Sequence, residues 1–168
     1  MATLLIVLYI CAMAFLVYNF IDNLREIKRI DKEYGRCHAL EKKRVAKLPK
    51  KFKKVNKYMV VDIMRYICRY ASLPYIDELN LGWRATSGST AGLYQVYVSI
   101  HDPRDYKLTS ISIRGFKKFK IDILIHELTH HKEFLSNRCV DQHGDSFLES
   151  ENQFFDMLEA GIASGIWG

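Results

Sequence analysis

The chain has 168 residues, of which 49% are hydrophobic and 26% are charged, and its formal net charge is +6. This length suits one folded domain with appendages, because single domains usually hold roughly 100–200 residues. The balance of apolar and charged residues is that of a globular protein, which excludes disorder along the whole chain.

The N-terminal residues are almost entirely apolar. No charged residue occurs from Thr3 to Ile21, and about twenty residues of helix are needed to cross the hydrocarbon core of a bilayer. We therefore predict one transmembrane anchor over residues 1–21. A cleaved signal peptide is the alternative, suggested by the small residues Ala12 and Ala14, but no basic residue precedes the apolar run.

Positive charge is concentrated in residues 22–57, where fourteen basic and five acidic residues give a net charge of +9. From Tyr58 onward, eleven basic and fourteen acidic residues give −3, so the basic character belongs to the earlier segment. We interpret residues 22–57 as a basic juxtamembrane connector. Positive charge marks the cytoplasmic side of a spanning helix, which predicts an outside N-terminus and a cytoplasmic location for everything after residue 21. Within the connector, residues 25–57 are predicted to contact anionic lipid or DNA phosphates.

Residues 58–168 are predicted to form the folded domain. Apolar residues recur at helical spacing over about 58–71 and predict a first helix. Aromatic, β-branched and alternating patterns then predict strands over 81–86, 93–100 and 109–114. The first two strands resemble a hairpin, so a small antiparallel three-stranded sheet is expected.

Two more helices are predicted after the sheet. Helical spacing returns over about 117–136, and a further helix is predicted from Ser146, where Ser146 and Glu149 have the spacing of a capping box. The predicted fold class is therefore α+β, with a small antiparallel sheet packed against helices and one transmembrane helix ahead of them.

His126 and His130 lie four residues apart on the predicted third helix, so both imidazoles leave one face and can reach one tetrahedral ion. Glu127 lies roughly 100° around the helix from His126, beside the open coordination position. There it can take a proton from zinc-bound water and deliver it to the leaving amine. Apolar residues form a stripe on the opposite face, which predicts a core behind the metal site: Ile121, Leu124, Leu128 and Leu135.

A catalytic zinc ion usually has three protein ligands and a water molecule. His143, in a predicted loop after the metal helix, is the favoured third ligand, and Glu149 or Glu151 on the last helix is the alternative. His131 turns roughly 100° beyond His130, off the metal face, so it is predicted to be an ordinary exposed histidine.

Two motifs resemble those of the SprT-like family of zinc metallopeptidases, which are H-E-x-x-H followed by H-G-x-x-F. They are His126-Glu127-Leu128-Thr129-His130 and His143-Gly144-Asp145-Ser146-Phe147. Residues 82–84, 90–94 and 111–113 also stand where the family has strand motifs, so the resemblance covers about residues 58–160. It implies a minimal zincin-like fold, Zn²⁺ held by three histidines and a glutamate as general base: His126, His130, His143 and Glu127.

The chain departs from the family at several points. Asp145 stands where many members have proline, and the cysteine pairs of a C-terminal zinc ribbon are missing. Many members are soluble and act on DNA-bound proteins, whereas an anchor is predicted here. The resemblance therefore implies the fold and the zinc chemistry more strongly than the substrate.

These observations predict a membrane-anchored zinc metallopeptidase that cleaves a protein substrate, with Glu127 as general base. One alternative is a non-enzymatic, zinc-stabilised binding module. Another is a nucleic-acid-associated protease that binds DNA through its basic arm, and a third is an H-E-x-x-H peptidase with a carboxylate as third ligand. The sequence predicts no oligomeric state.

Overall fold

A computed structural model describes the backbone of residues 2–98, 106–136 and 143–167, and the side chains in these ranges except those of residues 2–8, 10, 98, 106 and 107. The described elements make an α+β arrangement of five helices and two small sheets. The helices are α1 Ala2–Lys47, α2 Lys50–Lys53, α3 Lys57–Tyr70, α4 Ile121–Leu135 and α5 Asp145–Ala163. The strands are β1 Lys54–Val55, β2 Glu78–Gly82, β3 Gly92–Val98, β4 Tyr106–Arg114 and β5 Phe119–Lys120.

The three longer strands form one sheet in the order β2-β4-β3, with β2 parallel and β3 antiparallel to the central strand β4. The prediction of an antiparallel sheet is therefore wrong for the pair β2 and β4, which are parallel. The predicted hairpin is also wrong, because β2 and β3 do not pair with each other. The chain between them turns after Gly82, where β2 ends and the predicted strand over 81–86 would have continued.

A second sheet was not predicted. In it, β1 pairs antiparallel with β5, in the register Lys54 opposite Lys120 and Val55 opposite Phe119. Because β5 occupies residues 119 and 120, helix α4 begins at Ile121, later than the predicted start near residue 117. The short sheet thus fixes the entry of the chain into the helix that carries His126.

One hydrophobic core joins the helices and the larger sheet. The apolar stripe predicted on α4 is buried at Ile121, Leu124 and Leu128. It meets fully buried side chains of the neighbouring elements, which are Ile63 and Ile67 of α3, Ile111 and Ile113 of β4, and Phe154, Phe155 and Leu158 of α5. The core behind the histidine-bearing face is therefore present as the sequence indicated.

The core also extends into the segment interpreted as a connector. Leu48, Phe52 and Val55 are each at most 4% exposed and pack in the same cluster as the core of residues 58–168. The predicted boundary at residue 57 consequently does not separate a solvated arm from a folded domain.

Helix α1 runs without a break from the apolar N-terminal residues through the basic segment as far as Lys47. None of the helices in the described part of the chain is long and apolar enough to cross a membrane. The predicted transmembrane anchor over residues 1–21 is therefore wrong, and so is the single-pass localisation with an outside N-terminus and a cytoplasmic catalytic domain.

The C-terminal half of α1 packs against α5 through ion pairs. Arg36 contacts the Asp145 carboxylate at 2.7 Å. Arg44, whose side chain is only 15% exposed, contacts both Asp156 and Glu159 and lies over the Phe155 ring. Some of the positive charge that predicted a lipid or DNA contact is thus used inside the folded chain.

Substitution of Arg44 by alanine tests whether this packing stabilises the fold. We expect Arg44→Ala to lower the free energy of unfolding by about 1–2 kcal/mol, because it removes two ion pairs and a largely buried side-chain stem. Urea denaturation at constant pH measures the change. The matched control is Lys43→Ala, an exposed neighbour on the same helix, with an expected change within about 0.5 kcal/mol. Equal losses in the two variants would contradict the packing role.

Candidate metal centre

Three imidazoles converge at the open face of helix α4. His126 and His130 are one helical turn apart on α4, and His143 lies two residues before α5, next to its N-cap residue Gly144. The Nε2 atom of His126 lies 3.2 Å from Nε2 of His130 and 3.2 Å from Nε2 of His143. The structure therefore brings together the three histidines that the sequence predicted as ligands.

The arrangement fits a tetrahedral zinc ion. Nitrogen ligands at about 2.0–2.1 Å from zinc lie roughly 3.3 Å from one another in a tetrahedral site. The two separations of 3.2 Å agree with this value, and the three ligand atoms all lie within 4.8 Å of one another. Nitrogen lone pairs brought this close repel one another unless a proton or a cation lies between them. The site has the donor set and the size for one divalent ion.

Two carboxylates, one fully buried and one partly exposed, lie behind His126, on the side of its other ring nitrogen. The Nδ1–H group donates to Glu41 Oε1 at 2.8 Å, and Glu151 Oε1 is 3.4 Å from the same nitrogen. Glu41 comes from α1, and Glu151 from α5 is completely buried. A carboxylate that accepts Nδ1–H fixes the imidazole tautomer and leaves the Nε2 lone pair for a metal.

The two glutamates predicted as alternative third ligands, Glu149 and Glu151, both lie on helix α5. Glu151 approaches Nδ1 of His126, so it belongs to the outer layer of the site and not to the three converging Nε2 atoms. Glu149 is exposed on α5. Of the three candidates for the third ligand, His143 is the one whose ring nitrogen lies with those of His126 and His130.

The carboxylates and His126 change one another's proton affinities. Burial disfavours the charged imidazole, but the hydrogen bonds to Glu151 and Glu41 prevail and raise the pKa of His126 to about 10. Burial also acts to raise the pKa of Glu41, yet the hydrogen bond and charge of His126 lower it overall. Burial raises the pKa of Glu151 to about 7. Glu41 is therefore the charged partner of His126, and Glu151 is the more readily protonated neighbour.

Glu127 is buried beside the histidines, with 6% of its surface exposed. Burial raises the pKa of Glu127 to about 7, although the positive charge of His126 and the backbone N–H of Tyr94 oppose this effect. A carboxyl group whose pKa is close to neutral can accept a proton and also return it. Its position and proton affinity suit the predicted role of general base.

Glycine at the start of β3 makes room for this carboxylate. A Cβ atom added at Gly92 would collide with Glu127 Oε1 and with Ile123 Cγ2. Tyr94, two residues further along β3, supplies the backbone N–H that holds the same carboxylate. The strand therefore approaches α4 closely enough to fix Glu127 through its backbone.

The segment that carries His143 is held from three sides. The Cys37 thiol of α1 donates to the His143 carbonyl oxygen at 3.8 Å, and the Phe147 ring packs against the His143 ring. Ser146 and Ser150 donate to the two carboxylate oxygens of Glu133, which is buried on α4. The predicted capping box is wrong for this reason, since the Ser146 hydroxyl contacts Glu133 and Gly144 is the N-cap of α5.

His131 is buried at 1% exposure, so the prediction of an exposed histidine is wrong. Its Nε2–H donates to the Pro74 carbonyl oxygen at 3.1 Å, and its Nδ1 accepts from the Tyr94 hydroxyl at 3.1 Å. Burial lowers the pKa of His131, which favours the neutral ring that these two bonds require. His131 therefore links α4 to β3 and lies off the metal face, as its helical angle indicated.

A cleft of about 430 Å³ opens beside the histidines. Its walls include the α4 residues His126 and Glu127, the α1 residues Tyr34 and Glu41, and Gly92 of β3. Tyr34 also packs edge-on against the His143 ring, with ring centroids 5.5 Å apart. The sequence also offers Asp141, His101 and Tyr106 as polar residues for such a site, but the first two and the Tyr106 side chain lie outside the described residues.

Sequence reasoning missed Glu41 and the other α1 residues at the site. Glu41 is one of five acids in a segment dominated by lysine and arginine, and it lies 85 positions before His126. The one sequence feature that could have drawn attention to Glu41 is its negative charge between Arg36 and Lys42, but this charge alone does not identify His126 as its partner.

Substitution of Gly92 tests the close approach of β3 to Glu127. We expect Gly92→Ala to lower the free energy of unfolding by about 1–3 kcal/mol, because the added methyl group forces apart a packed contact. Thermal or urea denaturation measures the loss. In the control Gly35→Ala, no atom lies within 4 Å of the new Cβ and the site is helical, so stability should be unchanged or higher by up to about 1 kcal/mol. A Gly92→Ala variant as stable as the parent would show that this contact is loose.

Comparisons of the chain with family models, with curated proteins and with solved structures found no match. The resemblance to SprT-like peptidases therefore stays a prediction that rests on the two histidine motifs.

Proposed function

We propose that this chain is a zinc-dependent metallopeptidase that hydrolyses peptide bonds of a protein substrate. The observation that carries the proposal is the convergence of three Nε2 atoms beside a buried glutamate that lines the same cleft. His126, His130 and His143 would hold Zn²⁺, and Glu127 would be the general base.

The proposed chemistry divides between the metal and the chain. Zinc, when bound, polarises the substrate carbonyl and lowers the pKa of a bound water molecule to about 7. Glu127 accepts a proton from the attacking water on a carboxylate oxygen and then returns it to the leaving amine nitrogen. Gly92 and the Tyr94 N–H keep that carboxylate at the cleft wall. Glu41 holds the His126 ring in the tautomer that presents Nε2 to the metal.

Burial of Glu127 favours an enzyme over a zinc-stabilised binding module. A buried carboxylate costs stability unless it is paired, and holding the metal through three histidines does not require Glu127. A module that only binds a partner would have no reason to keep an ionisable group of nearly neutral pKa at the cleft.

Zinc content and proteolysis of the wild-type protein and a Glu127→Gln variant test the proposal. We expect about one zinc ion per chain in both proteins, and cleavage of an unfolded protein substrate that falls by about 10²–10⁴-fold in the variant. Elemental analysis and gel-based cleavage assays measure these quantities. Zinc in both proteins with cleavage by neither would favour the binding module, and equal cleavage by both would remove Glu127 as general base.

Glu41→Gln tests the outer layer of the site, since glutamine keeps the shape of the side chain but loses the charge. We expect the zinc dissociation constant to rise by about 10–100-fold, because His126 loses the carboxylate that orients it. Competition with a chromophoric chelator measures the constant. Glu26→Gln is the matched control on an exposed part of the same helix and should leave the constant unchanged. If both variants bind zinc as the parent does, Glu41 has no influence on the metal.

A further inference from the structure

A second cavity, of about 520 Å³, adjoins the cleft beside the histidines. We call it the basic pocket, and its charged lining residues are Lys54, Arg114, Lys117, Lys118 and Lys120. The basic pocket and the cleft share wall residues, which are Ser89, Ala91, Lys120 and Ile123. They therefore form one continuous depression, and a chain bound in the cleft can continue into the basic pocket.

Three lysines of the basic pocket have no ion-pair partner in the part of the chain that the structure describes. No ion pair within the described residues involves Lys54, Lys117 or Lys118, and all three are exposed. No carboxylate lines the pocket. Arg114 has a different role, because its guanidinium donates to the carbonyl oxygens of Thr86 and Gly88 and so shapes the wall.

The register of the small sheet adds an independent observation. Lys54 of β1 lies directly opposite Lys120 of β5, and like charges at such positions destabilise a strand pair. An anionic group bound between them would relieve this repulsion. Residues that lower stability at a cavity are typical of a binding site.

The two parts of the depression differ in charge. The cleft beside the histidines is lined by the carboxylates of Glu41, Asp122 and Glu127 together with Lys120 and His126, whereas no carboxylate lines the basic pocket. A nucleic acid strand carries negative charge at every residue and would meet the carboxylates of the cleft. A peptide can carry neutral residues in the cleft and acidic side chains only in the basic pocket.

We propose that the basic pocket binds aspartate or glutamate side chains of the substrate, on one side of the peptide bond to be cleaved. This inference rests on the proposed peptidase function and adds the class of substrate. Lys117 and Lys118 lie in the turn ahead of β5 and line the pocket, with the Lys117 ammonium 5.8 Å from the centre of the exposed Phe116 ring.

A binding experiment tests the proposal separately from catalysis. Zinc-loaded full-length Glu127→Gln protein is titrated with two labelled peptides that differ only by three glutamates or three glutamines on one side of a fixed central sequence. We expect the acidic peptide to bind about tenfold more tightly at low salt, and the difference to shrink as salt rises. The double substitution Lys117→Glu and Lys118→Glu should abolish the preference, whereas Lys28→Glu with Lys32→Glu, exposed residues of α1, should leave it intact.

Three results would overturn the proposal: equal affinity for the two peptides, the same effect of both lysine pairs, or tighter binding of a single-stranded oligonucleotide than of the acidic peptide. Cleavage of the same peptides by the protein with Glu127 intact tells the two proposals apart. A preference for the acidic peptide without any cleavage contradicts the peptidase function alone. Cleavage of both peptides at equal rates contradicts the role of the basic pocket alone.

Discussion

The site depends on one electrostatic constraint, which is that three imidazole nitrogens are held so close that they need a positive charge among them. The separations of 3.2 Å from His126 Nε2 to its two neighbours leave room for one small cation. His126 cannot turn away, because its Nδ1–H is held by Glu41 at 2.8 Å with Glu151 buried beside it. Helix α4, the two carboxylates and the His143 segment must therefore all be in place together.

Helix α1 is part of this arrangement and is not a tether beside it. Its C-terminal half contributes Glu41 to His126, Cys37 to the backbone of His143, and Arg36 and Arg44 to carboxylates of α5. On the other side of the cleft, β3 approaches α4 so closely that Gly92 has no space for a side chain. The three histidines and Glu127 are thereby fixed from both walls by elements that are distant in sequence.

The sequence predicted the features of the fold and the site that have a local sequence pattern. Spacing of four residues placed His126 and His130 on one face, the apolar stripe placed the core behind them, and helix α3 was predicted to within one residue at each end. His143 followed from its motif. The contacts of Glu41, the burial of His131 and the parallel pairing of β2 with β4 are long-range, so no local pattern encodes them. The prediction of an anchor was wrong because it rested on apolar composition alone, and no helix in the described chain is long and apolar enough to cross a membrane.

X-ray absorption spectroscopy at the zinc edge of the purified full-length protein tests the central claim most directly, because it counts the ligands without relying on activity. We predict three imidazole nitrogens at about 2.0–2.1 Å and one oxygen ligand from water. Loss of one imidazole in a His143→Ala variant should be visible in the same spectrum. A protein that contains no zinc after metal loading, or a spectrum with sulfur or fewer than three imidazoles in the wild type, would contradict the account.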